Sequence, residues 1–113
     1  MKVVINRCYG GFSLSGEAIE LYLNKKGLKF TKEKGRYFSL MGYDYHVEGD
    51  DLWYDRTLAR HDPILIEVVE ELGDKANGRC AELDVIEIPD GVDYEVQEYD
   101  GNEWIAERHR TWP

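Results

Sequence analysis

The sequence is poor in the residues that most often announce chemistry. Only two cysteines, Cys8 and Cys80, occur in 113 residues. They lie in separate segments with no CxxC or Cys/His spacing, which reads as reduced structural thiols in a reducing cytosol rather than a disulfide or a zinc site. The three histidines, His46, His61 and His109, are equally scattered, without HxxxH or HExxH spacing. No GxSxG elbow is present, and neither Ser13 nor Ser15 has an identifiable His/Asp partnership, so hydrolase chemistry has no positive support. No apolar stretch approaches membrane-spanning length, and Met1-Lys2 leads straight into Val3-Val4-Ile5, so neither a span nor a signal peptide is expected. Positive charge is scarce as well. Fourteen Lys and Arg face 23 Asp and Glu, giving a net charge of −9 and a pI near 4.7. General attraction to DNA, RNA or an anionic membrane would have to overcome that repulsion. A binding protein with no catalytic residues, metal or cofactor is the expectation; a small phosphodiesterase stays open but would need a metal or a positioned base.

What is present fits one α+β domain over residues 1–113, with a small mixed or antiparallel sheet, two helices and a C-terminal β-hairpin. Lys2 to Arg7 reads as a buried strand through its three β-branched residues, and Gly10-Gly11 ends it. Ser15 stands as an N-cap, Leu14 and Ile19 as a hydrophobic staple, and Gly16 to about Lys26 as a helix closed by Gly27. Asp62 and Pro63 open a second helix whose Leu65, Val68, Val69 and Leu72 form an apolar stripe, with Gly73 or Asn77-Gly78 as its stop. Ala81 to Ile88 reads as a strand. Val92, Tyr94 and Val96 then alternate with acids, Asp100-Gly101 is a strong hairpin turn, and Asn102 to Arg110 is the return strand. Residues 30–61 read as an aromatic-rich irregular or hairpin insertion. There Lys32, Glu33, Lys34 and Gly35 interrupt any pattern, Tyr43 to Val47 alternates as a strand, and Leu52-Trp53-Tyr54 would return across a turn at Glu48 to Asp51.

Two groups of residues invite a functional reading. The turn Arg7, Tyr9, Gly10, Gly11, Phe12 and Ser13 precedes a helix, where backbone amides and a guanidinium could meet a phosphate. Paired glycines in a turn more often serve φ > 0. Arg56 and Arg60 precede the second helix, and Arg108 and Arg110 would share a strand face with Trp104 and Trp112, a combination that can hold phosphate and stack a base. The plainer use of such arginines is pairing with surrounding acids. No Lys or Arg lies between Arg79 and Arg108, so this carboxylate-rich stretch also admits a second function, inhibition or regulation of another protein through an acidic surface.

The run Asn6-Arg7-Cys8-Tyr9-Gly10-Gly11-Phe12-Ser13-Leu14-Ser15, with Asp62-Pro63, Val68-Val69-Glu70-Glu71-Leu72-Gly73, Ile86-Glu87-Ile88-Pro89-Asp90 and the closing Ala106-Glu107-Arg108-His109-Arg110-Thr111-Trp112, resembles a family of short phage and prophage proteins. That group in turn resembles the first Thoeris anti-defence family. The resemblance leaves residues 30–53 unmatched. It implies a cytoplasmic protein of an infected bacterium that sequesters, without cleaving, a cyclic ADP-ribose isomer or a cyclic oligonucleotide in pockets of an oligomer; on the acidic-surface alternative it would be a phage protein acting on a host protein. The open edge of the C-terminal hairpin, with Trp104 and Trp112 near the chain end, separately leads to the expectation of a homodimer or higher homo-oligomer. Assignment of Arg7, Arg56, Arg108 and the glycine turn to ligand contact comes from residue chemistry, not from the family.

Overall fold

The computed structural model describes residues 1–34, 43–47, 51–53 and 58–108. Among these residues seven strands and two helices follow one another: β1 (Lys2–Asn6), α1 (Gly16–Lys25), β2 (Phe30–Lys34), β3 (Tyr43–Val47), β4 (Asp51–Trp53), α2 (Pro63–Leu72), β5 (Leu83–Glu87), β6 (Tyr94–Tyr99) and β7 (Asn102–Glu107). The strands form three small antiparallel sheets, β1-β5, β2-β3-β4 and β6-β7. The α+β class, the two helices and the C-terminal hairpin are as the sequence predicts.

Both helices begin where their side chains can replace missing backbone partners. Ser15 Oγ accepts from the Ala18 N–H at 3.1 Å, and Asp62 Oδ1 accepts from the Ile64 N–H at 2.8 Å. At the end of α1, Gly27 takes φ 72°, its N–H donates to Asn24, and Leu28 N–H donates to Leu23. This is the paired 6→1 and 5→2 arrangement that consumes a helix's last carbonyls. Helix α2 stops at Leu72, and Gly73–Ala76 continue as a 3₁₀ turn to Asn77, which bridges to Leu14. Both stop signals in the sequence are therefore used in succession.

The main core gathers Val4, Leu14, Ala18, Ile19, Tyr22, Leu23, Leu65, Val68 and Val69. Truncating a fully buried Leu65 to Ala would cost about 2–5 kcal/mol. Strand β1 is buried on both faces because consecutive side chains alternate. Val4, opposite Val85, joins the helices, whereas Val3, opposite Ile86, and Ile5 point away from them. On the other side of the helices, Trp53 meets Tyr22 with ring centroids 5.8 Å apart, and Phe30 meets Tyr45 at 5.9 Å.

Two sequence expectations are corrected. Phe30–Lys34 is a strand despite its charges, because it is an outer strand paired residue for residue with β3, from Phe30↔Val47 to Lys34↔Tyr43. An outer strand tolerates charge well. The return strand of the C-terminal hairpin ends at Glu107, short of the Arg108 expected on it, so Arg108 follows the strand rather than lying on its face. Tyr54, Arg56, Arg110, Trp112 and the turn at 48–50 lie outside the described residues.

Candidate functional site

Strand β1 ends on a buried polar residue, and that residue organises everything around it. Asn6 is wholly buried. Its Nδ2 donates to the carbonyls of Cys8 at 2.6 Å and Gly101 at 2.7 Å, and its Oδ1 accepts from Glu82 N–H at 2.8 Å. One amide thus ties the glycine turn, the entry to β5 and the tip of the β6-β7 hairpin together. A buried amide so saturated avoids the penalty of unpaired polar atoms and fixes one arrangement of three segments. The hairpin tip has the left-handed conformations its Asp-Gly sequence favours, φ 53° at Asp100 and 90° at Gly101. Gly101 packs so closely on the turn that a Cβ there would run into the Gly11 backbone nitrogen, while Gly10 N–H donates to the Asp100 carbonyl at 2.9 Å.

Beside this join lies a buried ion pair. Arg60 meets Glu103 through two near-parallel bonds, Nη1 to Oε1 at 2.6 Å and Nη2 to Oε2 at 2.9 Å, and Glu103 Oε1 also accepts from Asn6 N–H at 2.8 Å. The guanidinium carbon sits 3.7 Å from the centroid of the Phe12 ring. The fork geometry of arginine makes such a doubly bonded pair strong and directional. Strand β1's outer edge is closed by the same elements, since Val4 N–H donates to the Arg60 carbonyl at 2.8 Å.

Next to the pair, an open cleft of about 460 Å³ is lined by Arg60, His61, Val92, Tyr94, Val96 and Arg108 together with Met1, Asp93 and Glu95. His61 Nδ1 and the Tyr94 hydroxyl are 2.6 Å apart, and their rings meet edge to face. Burial pushes the Tyr94 phenol above its ordinary value, with the Arg60 charge opposing the shift. Arg108 is held loosely: its nearest carboxylates, Asp93 and Glu95, are both 3.8 Å away, and more than half of its side chain is exposed. A second cleft of about 360 Å³ is more apolar, lined by Ile86, Ile88, Pro89, Trp104 and Ile105 with Arg7 and Glu107 beside them.

Of the residues singled out from the sequence, the structure brings Arg60 and Arg108 to one cleft. Arg7 stands apart at the other, 3.9 Å from Asp84. Tyr9 is exposed, Phe12 lies under Arg60, and Ser13 packs against Gly78 and accepts its N–H at the backbone carbonyl at 2.9 Å. The Gly10 and Gly11 φ values of 115° and 100° account for both glycines without a ligand. Arg56 and Arg110 lie outside the described residues. Sequence reasoning missed Asn6, His61, Tyr94 and Glu103 as parts of one constellation. Glu103 did carry a signal: two residues before Ile105 on the same strand, it shares that residue's inward face. Among the described residues, no group of three His, Cys, Asp or Glu side chains is placed to hold a metal ion, and no helix is long and apolar enough to cross a membrane.

No protein-family model, no curated protein and no solved structure matches the chain.

Proposed function

We propose that this chain binds and holds a phosphate-bearing nucleotide signal, of the cyclic ADP-ribose or cyclic oligonucleotide class, without converting it, and so counteracts bacterial anti-phage defence. The observation that carries the reading is the convergence of Arg60 and Arg108 on one cleft with His61 and Tyr94. Its volume of about 460 Å³ falls in the range of about 300–1,000 Å³ typical of small-molecule sites. Arg108 supplies the mobile cation: a phosphate displaces Asp93 and Glu95, which contact it only at 3.8 Å, and gains charge-assisted bonds in their place. Arg60 supplies the fixed one. Three of its N–H groups are engaged by Glu103 and the Val4 carbonyl, which leaves two of the five donors of a guanidinium for a ligand. Tyr94 and His61 offer ring surface and polar atoms to a base or ribose. Local positive potential of this kind can hold an anion on a protein that is acidic overall.

The proposal includes assembly into a homodimer or higher oligomer. In the β6-β7 ladder, Gln97 faces Trp104 and Tyr99 faces Asn102 across a two-residue turn, which directs the backbone groups of Ile105 and Glu107 outward from the hairpin. A second copy covering that edge would bury them. The deciding experiment is incubation with a cyclic ADP-ribose isomer and, separately, with a cyclic dinucleotide, followed by denaturation and mass spectrometry. Recovery of the intact ligand supports sequestration; recovery of linear ADP-ribose or a linear dinucleotide makes the protein a hydrolase, and no retention of either class removes the reading. Light scattering that finds a monomer at micromolar concentration removes the assembly.

A further inference from the structure

The second cleft, of about 360 Å³, is bordered by an edge of the hairpin rather than by one of its faces. Trp104 lines it, and so do Ile105 and Glu107, whose side chains leave β7 on the opposite face from that of Trp104. Side chains from both faces reach one cleft when the strand's edge stands over it. That is the edge toward which β7 turns the backbone groups of Ile105 and Glu107. The floor is apolar: Ile86, opposite Val3, lies on the side of the β1-β5 sheet away from the helices, and Ile88 and Pro89 follow it. Trp104 is left 46% exposed beside this floor.

The cleft carries opposite charges at its two ends. Asn6 bonds to Glu103 through its N–H and to the Gly101 carbonyl through Nδ2, so its neighbour Arg7 stands level with the start of β7, whereas Glu107 is the strand's last residue. From Glu103 to Glu107 is a run of about 13 Å at the usual rise per residue. Arg7 is more than half exposed, with Asp84 only at 3.9 Å, and Glu107 is exposed. A two-fold axis at Ile105 satisfies edge, floor and charges together. Two β7 strands laid antiparallel about it pair Ile105 with Ile105 of the second copy, and Glu107 with Glu103 of the second copy, through the backbone groups that point outward. Arg7 of the second copy, level with that Glu103, then meets Glu107, and the reciprocal pair forms at the other end. Trp104 falls opposite Ala106 of the second copy, a small residue that leaves room for the ring, and the two apolar clefts close on each other. A net charge of −9 on each copy opposes approach at long range, but salt screens it beyond about 10 Å, and the paired ends act within that distance. We infer that the β7 edge and the second cleft form the contact between two copies of this chain, with Arg7 of each paired to Glu107 of the other. This rests on the assembly proposed above and names its surface.

Charge reversal tests the pairing, because it works in only one combination. Full-length Arg7→Glu and Glu107→Arg each bring like charges together twice, and each should weaken the dimer by about tenfold or more in sedimentation equilibrium. Both side chains are exposed, so melting temperature and circular dichroism should stay those of the wild type. Mixed in equal amounts, the two variants should associate again as a one-to-one heterodimer, identified by native mass spectrometry, because each reversed side chain then meets an opposite charge. Variants that dimerise as tightly as the wild type, or a mixture that stays monomeric although each variant is folded, overturn the interface. A wild-type chain that is monomeric at micromolar concentration removes the assembly along with it, whereas a wild-type dimer indifferent to both reversals leaves the assembly standing and removes this surface alone.

Discussion

Replacing Arg60 by Ala tests whether the Arg60–Glu103 pair holds the hairpin to the rest of the protein. In the native protein the Glu103 side chain is 5% exposed and that of Arg60 17%. The carboxylate has three donors: two from the guanidinium and one from Asn6. Removing Arg60 leaves one, so a buried carboxylate loses its counter-charge and most of its hydrogen bonding together. Breaking such a pair from one side costs about 3–5 kcal/mol. Loss of the guanidinium over Phe12 acts in the same direction. Against a total stability of about 5–15 kcal/mol, that is a large fraction, and at about 4 °C per kcal/mol it lowers the melting temperature by roughly 12–20 °C. Glu103→Gln keeps the volume and one acceptor, so its cost is smaller, about 1–3 kcal/mol. The joint replacement Arg60→Met/Glu103→Leu removes both charges and should be less damaging than Arg60→Ala alone. Urea unfolding followed by circular dichroism, with all variants in one double-mutant comparison, reads these differences. An Arg60→Ala loss below about 1 kcal/mol, or strictly additive effects in the joint variant, would refute the argument that this pair is a buried structural link.

Three further outcomes separate structure from binding. Gly101→Ala should destabilise by more than about 2 kcal/mol, because the new Cβ meets the Gly11 backbone at a φ of 90°, whereas Gly27→Ala, at φ 72° in open space, should cost only about 1 kcal/mol; equal melting temperatures for the two would contradict the close packing of turn and hairpin. Burial opposes ionisation of Asp62, but hydrogen bonds from Tyr22 and the Ile64 N–H, with the Lys26 charge, outweigh it and hold the carboxyl below its ordinary 3.8. A depressed carboxyl contributes stability above its unfolded pKa and loses it as pH falls through the folded one, so Asp62→Asn should flatten the acid limb of a stability–pH curve below about pH 4. Identical acid limbs would show that Asp62 does not control this region. Arg108→Ala should weaken nucleotide binding at least tenfold while changing stability by less than about 0.5 kcal/mol, since its ion pairs are long and exposed; unchanged affinity would take Arg108 out of the site.

The elements most legible in the sequence are those whose cause is local. Ser15, Asp62-Pro63, Gly27 and Asp100-Gly101 each act on a backbone within four residues, and each sits where its chemistry requires. Strand β2 was not legible because nothing in Phe30-Thr31-Lys32-Glu33-Lys34 marks it; its ladder with β3 supplies the reason, and β3 lies beyond a stretch with little pattern. The partners of Asn6 and Arg60 were hidden for the same reason. Asn6 bonds to Gly101 and Glu82 across 95 and 76 residues, and Arg60 finds Glu103 across 43. With 23 carboxylates in the chain, residue type alone could not select the one that buries.

This long-range wiring changes what the most distinctive stretch of the sequence is for. Read as a string, Asn6 to Ser15 looks like a phosphate loop, because glycines and a helix start lie beside an arginine. In the fold several of its polar atoms are used internally: the Asn6 amide on Cys8, Gly101 and Glu82, the Gly10 N–H on Asp100, and Ser15 on the start of α1. These bonds set where the hairpin stands relative to β1. The cleft has one wall from the Arg60–His61 turn and another from Tyr94 and Val96 on that hairpin, so the glycine turn acts on the cleft through the hairpin's position. The loop's substitutions should therefore alter binding only in step with stability, whereas those at Arg108 should alter binding alone. That division is what distinguishes a residue that builds a site from one that touches its ligand.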